Sequence, residues 1–295
     1  MTPPFDTYQV RRAFGRAAAS YEAHAVLQRE VERRLLERLD YLEAAPTRVL
    51  DLGCGPGHAA QAMRTRWKGA QVVALDAALP MLNRVKLNWL RPVARVQADA
   101  RALPFADASI DVLYSNLCIQ WIDDLPALFD EFRRVLRPRG YLALSTFGPD
   151  TLHELRAAWA QADVPTGISA PHVSQFVDIA RVGDALMHAG FRDPVLDAEH
   201  FTLTYNDAPS LMRELKAIGA TNADPRRVRG LTGRAHYRRA VEAYEAFREN
   251  GLLPATYEVI YAHAWAPDPG QPRRGRGGGE IASFPIERLR GSRRG

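Results

Sequence analysis

Val49-Leu50-Asp51-Leu52-Gly53-Cys54-Gly55-Pro56-Gly57 decides the fold, because an apolar strand-like run passes directly into three alternate glycines and then into a helical segment. Glycine is needed where a backbone turns tightly and approaches a ligand with no Cβ in the way. The spacing is not the dinucleotide fingerprint, which requires Gly or Ala at position 58, where the chain has His58, and the Walker A lysine is missing. What remains is a loop suited to a ligand with an amino-acid moiety and a nucleoside but no phosphates. A glycine-rich turn that binds nothing is the plain alternative.

Outward from this loop, strand-like runs at 48–52, 71–75, 93–97, 110–115 and 141–147 alternate with helical ones at 58–67, 80–89 and 125–136, the last stopped by Pro138 and Gly140. Repeated β-α-β units of this spacing predict a parallel sheet with helices on both faces. Upstream, Val31, Leu35, Leu39 and Leu42 at helical spacing give an amphipathic helix over 21–42, and residues 1–45 are expected to form a helical cap over the site. Downstream, 151–162 and 176–189 read as helices, the second capped by Gly190, and 194–205 and 256–265 as two more strands. Between those strands, 207–250 reads as two helices joined by an Arg-rich turn at 224–232, an insertion of the size of a lid. The expected fold is therefore α/β and Rossmann-like: a mostly parallel, doubly wound seven-stranded sheet with a helical insertion, spanning 46–266. The Arg/Gly/Pro-rich tail at 267–295 is expected to be flexible, with 281–286 as a segment able to dock.

Asp76 closes the second strand about 20 residues beyond the glycines, where an acid accepts hydrogen bonds from ribose hydroxyls. Asp99 closes the third strand in the same way. Alone, each is as compatible with a helix N-cap or a turn. Three strand ends offering Gly, Asp and Asp in order favour a nucleoside site.

The formal charge of +5 points to nucleic acid only if it belongs to the folded body. It does not: residues 273–295 hold seven Arg against Glu280 and Glu287, which leaves 39 less 7 basic and 34 less 2 acidic side chains elsewhere, 32 of each. No nucleic-acid partner is expected. Two cysteines, Cys54 and Cys118, imply neither a disulfide framework nor a metal cluster, and no metal is expected. No signal peptide or membrane-length apolar run is evident, so a cytoplasmic location without a membrane partner is the expectation, and the chain is expected to be a monomer.

The glycine stretch, together with Asp76, Asp99-Ala100-Arg-Ala-Leu-Pro-Phe105 and Ser109-Ile-Asp-Val112, resembles the class I S-adenosylmethionine-dependent methyltransferases over about residues 48–147. The resemblance implies that Gly53, Gly55 and Gly57 wrap the methionine part of S-adenosylmethionine, that Asp76 holds the ribose and that Asp99 meets the adenine amine, with Asp51, Met81, Ala100 and Asn116 completing the cofactor site. Phe14-Gly-Arg-Ala-Ala-Ala-Ser-Tyr21, Ser115-Asn-Leu-Cys-Ile-Gln-Trp121, Leu211-Met-Arg-Glu-Leu-Lys-Ala-Ile-Gly-Ala-Thr-Asn222 and Pro254-Ala-Thr-Tyr-Glu-Val-Ile-Tyr261 resemble a narrower family, the malonyl-acyl-carrier-protein O-methyltransferases of biotin synthesis, over nearly the whole chain. That family methylates the free carboxylate of a malonyl thioester, on carrier protein or coenzyme A, so that it primes pimeloyl synthesis. The Arg-rich tail is longer than the family usually carries.

A malonyl carboxylate is ionised at pH 7 and attacks a sulfonium methyl without losing a proton first. Such a site needs alignment, water exclusion and anchors, but no general base. By the resemblance Tyr21 closes over the cofactor and faces the substrate, while core packing at a helix start is its structural alternative. Gln120 and Trp121 follow the fourth strand beside the expected methyl position. Lys216, one of only three lysines, is a candidate anchor from the insertion, or a solvated helix lysine. Arg226, Arg227, Arg229 and Arg234 offer a docking patch for an acidic carrier protein, or simply a solvated charge run. A ring or carbon nucleophile would want a positioned base, and none is obvious among His58, His153, His172, His188 and His236, which disfavours a quinone-precursor or other small-molecule methyltransferase. Segments 147–155 and 254–257 are also similar to protein-arginine hydroxylases of complex I assembly, which share the cofactor fold but transfer no methyl group. A non-catalytic binding module is disfavoured by the intact glycine loop and both strand-end aspartates.

Overall fold

The computed structural model describes residues 5–42, 45–86, 88, 92–167, 170–228, 230–268, 273–274 and 280–281. The elements run in the order α1 (Thr7–Ala17), α2 (Tyr21–His24), α3 (Val26–Glu37), β1 (Arg48–Leu52), α4 (His58–Arg66), β2 (Gln71–Asp76), α5 (Leu79–Leu82), β3 (Ala94–Gln97), β4 (Ile110–Ser115), α6 (Leu125–Val135), β5 (Leu136–Phe147), α7 (His153–Asp163), α8 (Ile179–His188), β6 (Arg192–Tyr205), α9 (Ala208–Ala217), α10 (Arg234–Tyr244), β7 (Leu253–Trp265), β8 (Arg273–Arg274) and β9 (Glu280–Ile281). Seven strands form one sheet in the order β3-β2-β1-β4-β5-β7-β6. The first five are mutually parallel, and β7 runs antiparallel between β5 and β6.

The central strands are buried on both faces, as parallel strands covered by helices must be. Alternation in β1 sends Val49 to one core, with Val72, Val112, Tyr141 and helices α3, α4, α7 and α10, and sends Leu50 and Leu52 to the other, with Leu75, Leu113, Leu142 and helices α6 and α8. Truncating a fully buried leucine such as Leu50 costs about 2–5 kcal/mol. Four helices start at an aspartate whose carboxylate accepts a backbone amide three residues on: Asp6 from Gln9, Asp124 from Ala127, Asp178 from Arg181 and Asp207 from Ser210.

The topology meets the expectation, and three elements differ most from it. The helix expected over 21–42 is broken at Ala25, which is buried in a non-helical conformation, and a separate helix α1 precedes it. The helix expected over 80–89 is the four-residue α5: after Leu82 the amides of Arg84 and Val85 turn back to Met81 and Leu82, and Arg95 donates to the Leu82 carbonyl, so the ladder does not propagate. Strand β5 begins five residues before the expected Tyr141, at Leu136, which pairs with Ile110 across a register shift.

The insertion between β6 and β7 carries α9 and α10 as expected, and is tied to the N-terminal segment. Ser20 Oγ donates to the Ala217 carbonyl at 2.7 Å, the Asp6 amide donates to the Ala223 carbonyl at 3.0 Å, and Arg227 pairs with Asp6 at 3.2 Å. Among the described residues no helix is long and apolar enough to cross a membrane. Most of the tail, including 282–286 of the segment expected to dock, lies outside the described residues; Arg273–Arg274 and Glu280–Ile281 pair antiparallel.

Candidate active site

A cavity of about 470 Å³ opens at the carboxyl ends of β1, β2, β3 and β4, under α1. This is where open α/β sheets bind ligands, and the volume is within the range of small-molecule sites. Gly53, at φ +69°, turns the chain out of β1; a Cβ there would lie 2.3 Å from Cys118 Sγ. The amides of Gly53 and Cys54 donate to the Leu75 carbonyl, which fixes the loop to the end of β2. Gly55 has open space on its Cβ side, with Tyr21 Cε1 at 4.0 Å, so the backbone itself is presented there.

Asp76 joins loop and strand. Its Oδ2 accepts from the Gly55 amide at 3.0 Å and its Oδ1 from the Ala78 amide at 2.7 Å. Burial raises its carboxyl above the usual range, and the amides of Ala78, Gly55 and Ala77 act the other way. Asp99 also reaches the cavity, but both of its oxygens are held by Arg101, at 2.9 and 2.6 Å, and its Oδ1 accepts the Arg101 amide as in an Asx-turn. The Arg101 guanidinium keeps its carboxyl below the ordinary value. Asp99 thus makes the turn that was its structural alternative while also lining the cavity.

Met81, Ala100 and Asn116 line the cavity as well. Asn116 is oriented by two bonds, donating to the Gln28 carbonyl at 3.0 Å and accepting from Ser145 Oγ at 2.8 Å. Tyr21 lies between this cavity and a recess of about 30 Å³ behind the glycine loop; burial, with Glu32 and Asp76 nearby, raises its hydroxyl pKa.

Four expected site residues lie elsewhere. Asp51 is buried beneath the loop with its Oδ2 unpartnered, and burial beside Glu32 raises its carboxyl well above the usual range. Gly57 packs against Val85, whose Cγ2 a Cβ would meet at 2.9 Å. Gln120 is buried in the short turn after β4, donating to the Leu117 carbonyl at 2.7 Å, and its neighbour Trp121 reaches the cavity instead. Lys216 is exposed on the last turn of α9, where a cation suits the helix dipole, and does not line the cavity. Of the candidate docking arginines, Arg226 pairs with Asp224 and Arg227 with Asp6, Arg234 is exposed, and Arg229 lies outside the described residues.

Of the α1 residues the sequence reading quoted only those from Phe14 onward, within a cap expected over the site, yet Thr7, Tyr8, Val10 and Arg11 join Phe14 in one cavity wall. The readable signal was amphipathic spacing, Val10 and Phe14 being one turn apart. Phe5 and Phe14 meet the Trp121 ring edge-on at 6.2 and 5.6 Å.

Fold and site together define a class I methyltransferase, and residues 50–144 match the methyltransferase domain family. A Bacillus halodurans C-125 protein assigned as a methyltransferase superposes with a TM-score of 0.55 at 19% identity, covering 79% of this chain and 97% of that one, which shows the shared fold. The sequence is 54% identical to the malonyl-[acyl-carrier protein] O-methyltransferase of Xylella fastidiosa strain M23, over 97% of this chain and 96% of the relative. It is 51% identical to the protein of the same name from Methylovorus sp. strain MP688, over 89% and 90% of the two chains. The chain belongs to the malonyl-[acyl-carrier protein] O-methyltransferase family.

Proposed function

We propose that this chain transfers a methyl group from S-adenosylmethionine to the free carboxylate of malonyl-acyl-carrier protein, giving the malonyl methyl ester that primes pimeloyl synthesis. The observation that carries this reading is the likeness to curated relatives of that name along nearly the full chain, cap and insertion included. It favours methyl transfer over arginine hydroxylation. Malonyl-coenzyme A, which presents the same malonyl group, is the alternative thioester.

The residues present fit the co-substrate: a strand-end cavity of nucleoside size, a glycine loop whose backbone is presented at Gly55, and two carboxylates at successive strand ends. Gly53 and Gly55 would hold its amino-acid part, Asp76 its ribose, and Asp99, Ala100 and Met81 the base, with Asn116 closing the inner wall. When bound, it supplies an electrophilic methyl group. The malonyl carboxylate is already a nucleophile at neutral pH, so this chain's task is to align and dehydrate it. Tyr21, between cavity and recess, would face the incoming carboxylate. Gln120 acts as a positioning residue, through the turn that aims Trp121 at the cavity. The insertion would serve as a lid, since its bonds to Asp6 and Ser20 couple it to the α1 wall. Lys216 and Arg234, both exposed, would meet the acidic carrier outside the cavity.

Incubation with methyl-labelled S-adenosylmethionine tests the reading. A base-labile labelled ester should form on malonyl carrier but not on succinyl or acetyl carrier. Oxygen incorporation into a protein arginine, with no ester, would replace it by the hydroxylase reading.

A further inference from the structure

The reaction above leaves unused a cluster of metal-ligating side chains at the C-terminal end of α7. Asp163 ends α7, His172 lies in the segment before α8, and His236 is in the first turn of α10. Asp163 Oδ1 is 3.2 Å from His172 Nε2 and 2.7 Å from His236 Nε2, and one ligand atom from each residue lies within 4.8 Å of the others. None of the three side chains is more than 17% exposed. Trp159, one turn back along α7, stacks on His172 at 4.2 Å and 7°, and meets His236 edge-on at 5.4 Å. Both imidazoles are thus held with Nε2 towards the same carboxylate oxygen.

Two neutral imidazole nitrogens and one carboxylate oxygen are a donor set that zinc accepts, with a fourth position left for water. Without an ion, Asp163 Oδ1 accepts two ring N–H groups. With one, each ring moves its proton to Nδ1 and offers the Nε2 lone pair, so a neutral imidazole releases no net proton. The other candidate group, Asp150, His200 and Glu258, is more open: the His200 side chain is 53% and the Asp150 side chain 64% exposed.

We propose that Asp163, His172 and His236 form a binding site for a divalent transition ion of the zinc class, which fastens α7, the segment before α8 and α10 to one another. Because α10 belongs to the insertion that is bonded to the N-terminal segment, the ion would stiffen the same unit that backs the cavity wall. An ion bound only by the folded chain raises its stability in proportion to the logarithm of its concentration above Kd.

The test uses the full chain, freed of metal by a chelator and titrated with Co²⁺, whose visible absorption reports ring-nitrogen ligation at low coordination number. The expected result is one saturable set of bands, displaced by Zn²⁺, with affinity weakened at least about tenfold in His236→Gln. Zn²⁺ should raise the Tm of the unmodified chain and of His200→Gln, but not of His236→Gln. Asp163→Asn provides a second ligand variant should His236→Gln fail to fold. Absence of the bands in the unmodified chain overturns the proposal. So does their persistence in both ligand variants, or their loss in His200→Gln. None of these readouts involves methyl transfer, so they stand apart from the proposed reaction.

Discussion

Replacing Gly53 by alanine puts a methyl group where two walls of the site converge. The backbone at φ +69° costs an L-residue about 1–2 kcal/mol. The new Cβ would also lie 2.3 Å from Cys118 Sγ and 2.6 Å from Cys118 Cβ, and contact with a Cβ is not relieved by rotating a side chain. Overpacking of this kind costs about 1–3 kcal/mol, so Gly53→Ala should lose about 2–5 kcal/mol in all. A double-mutant cycle separates the two costs. Cys118→Gly removes both contacts but not the backbone strain, so the pair should recover about 1–3 kcal/mol, and Cys118→Ala, which keeps its Cβ, should recover less. Urea unfolding of the parent, the single variants and the two double variants reads the energies. A Gly53→Ala variant within about 0.5 kcal/mol of the parent would refute the packing argument. So would a recovery that does not depend on residue 118.

Glu32 supplies a pH signature. Burial raises its carboxyl from the ordinary 4.5 to about 7, against the opposing pull of the Ala59 amide and Arg29. Between those values the folded chain keeps a proton that the unfolded chain has released, so stability falls as pH rises through the window and the cost is full above it. Glu32→Gln should therefore be more stable than the parent above pH 7, by about 2 kcal/mol after allowance for partial exposure, with the gap closing towards pH 4.5. Denaturant melts across that range check the sign. Tyr21→Phe keeps the ring and loses the hydroxyl; it should lower kcat/KM by about tenfold, the worth of one hydrogen bond, while barely moving the affinity for S-adenosylhomocysteine. Charge reversal at Lys216 and Arg234 together should raise KM for malonyl carrier protein severalfold at low salt and leave KM for malonyl-coenzyme A unchanged. Equal effects on the two thioesters would place those cations at the reacting carboxylate.

The loop after β1 was legible because its chemistry is local: alternate glycines after an apolar run admit few backbones, and φ at Gly53 needs no distant partner. The doubly wound, mostly parallel sheet followed from the same local periods, whereas its strand order, with β7 between β5 and β6, did not. What was not legible depends on partners far along the chain. Gly57 belongs to the same motif, yet its Cα faces Val85, a contact set by where α5 stops. Asp99 sits where expected, but its capture by Arg101 is a matter of rotamers. Lys216 stood out by rarity, which says nothing of which way a helix faces; burial of Leu211 turns the other side of α9 inward. The N-terminal segment was expected over the site, but the separate helix α1 and the side chains by which it walls the cavity were not, because amphipathic spacing marks a buried face without fixing which residues of it meet a ligand.

Calorimetric titration with S-adenosylhomocysteine, on the parent chain and on Asp76→Ala, addresses the cradle at the strand ends most directly. The account predicts one site per chain, with affinity lowered in the variant by the loss of the carboxylate that both holds the Gly55 amide and faces the cavity. No binding by the parent, or equal binding by both proteins, would contradict it.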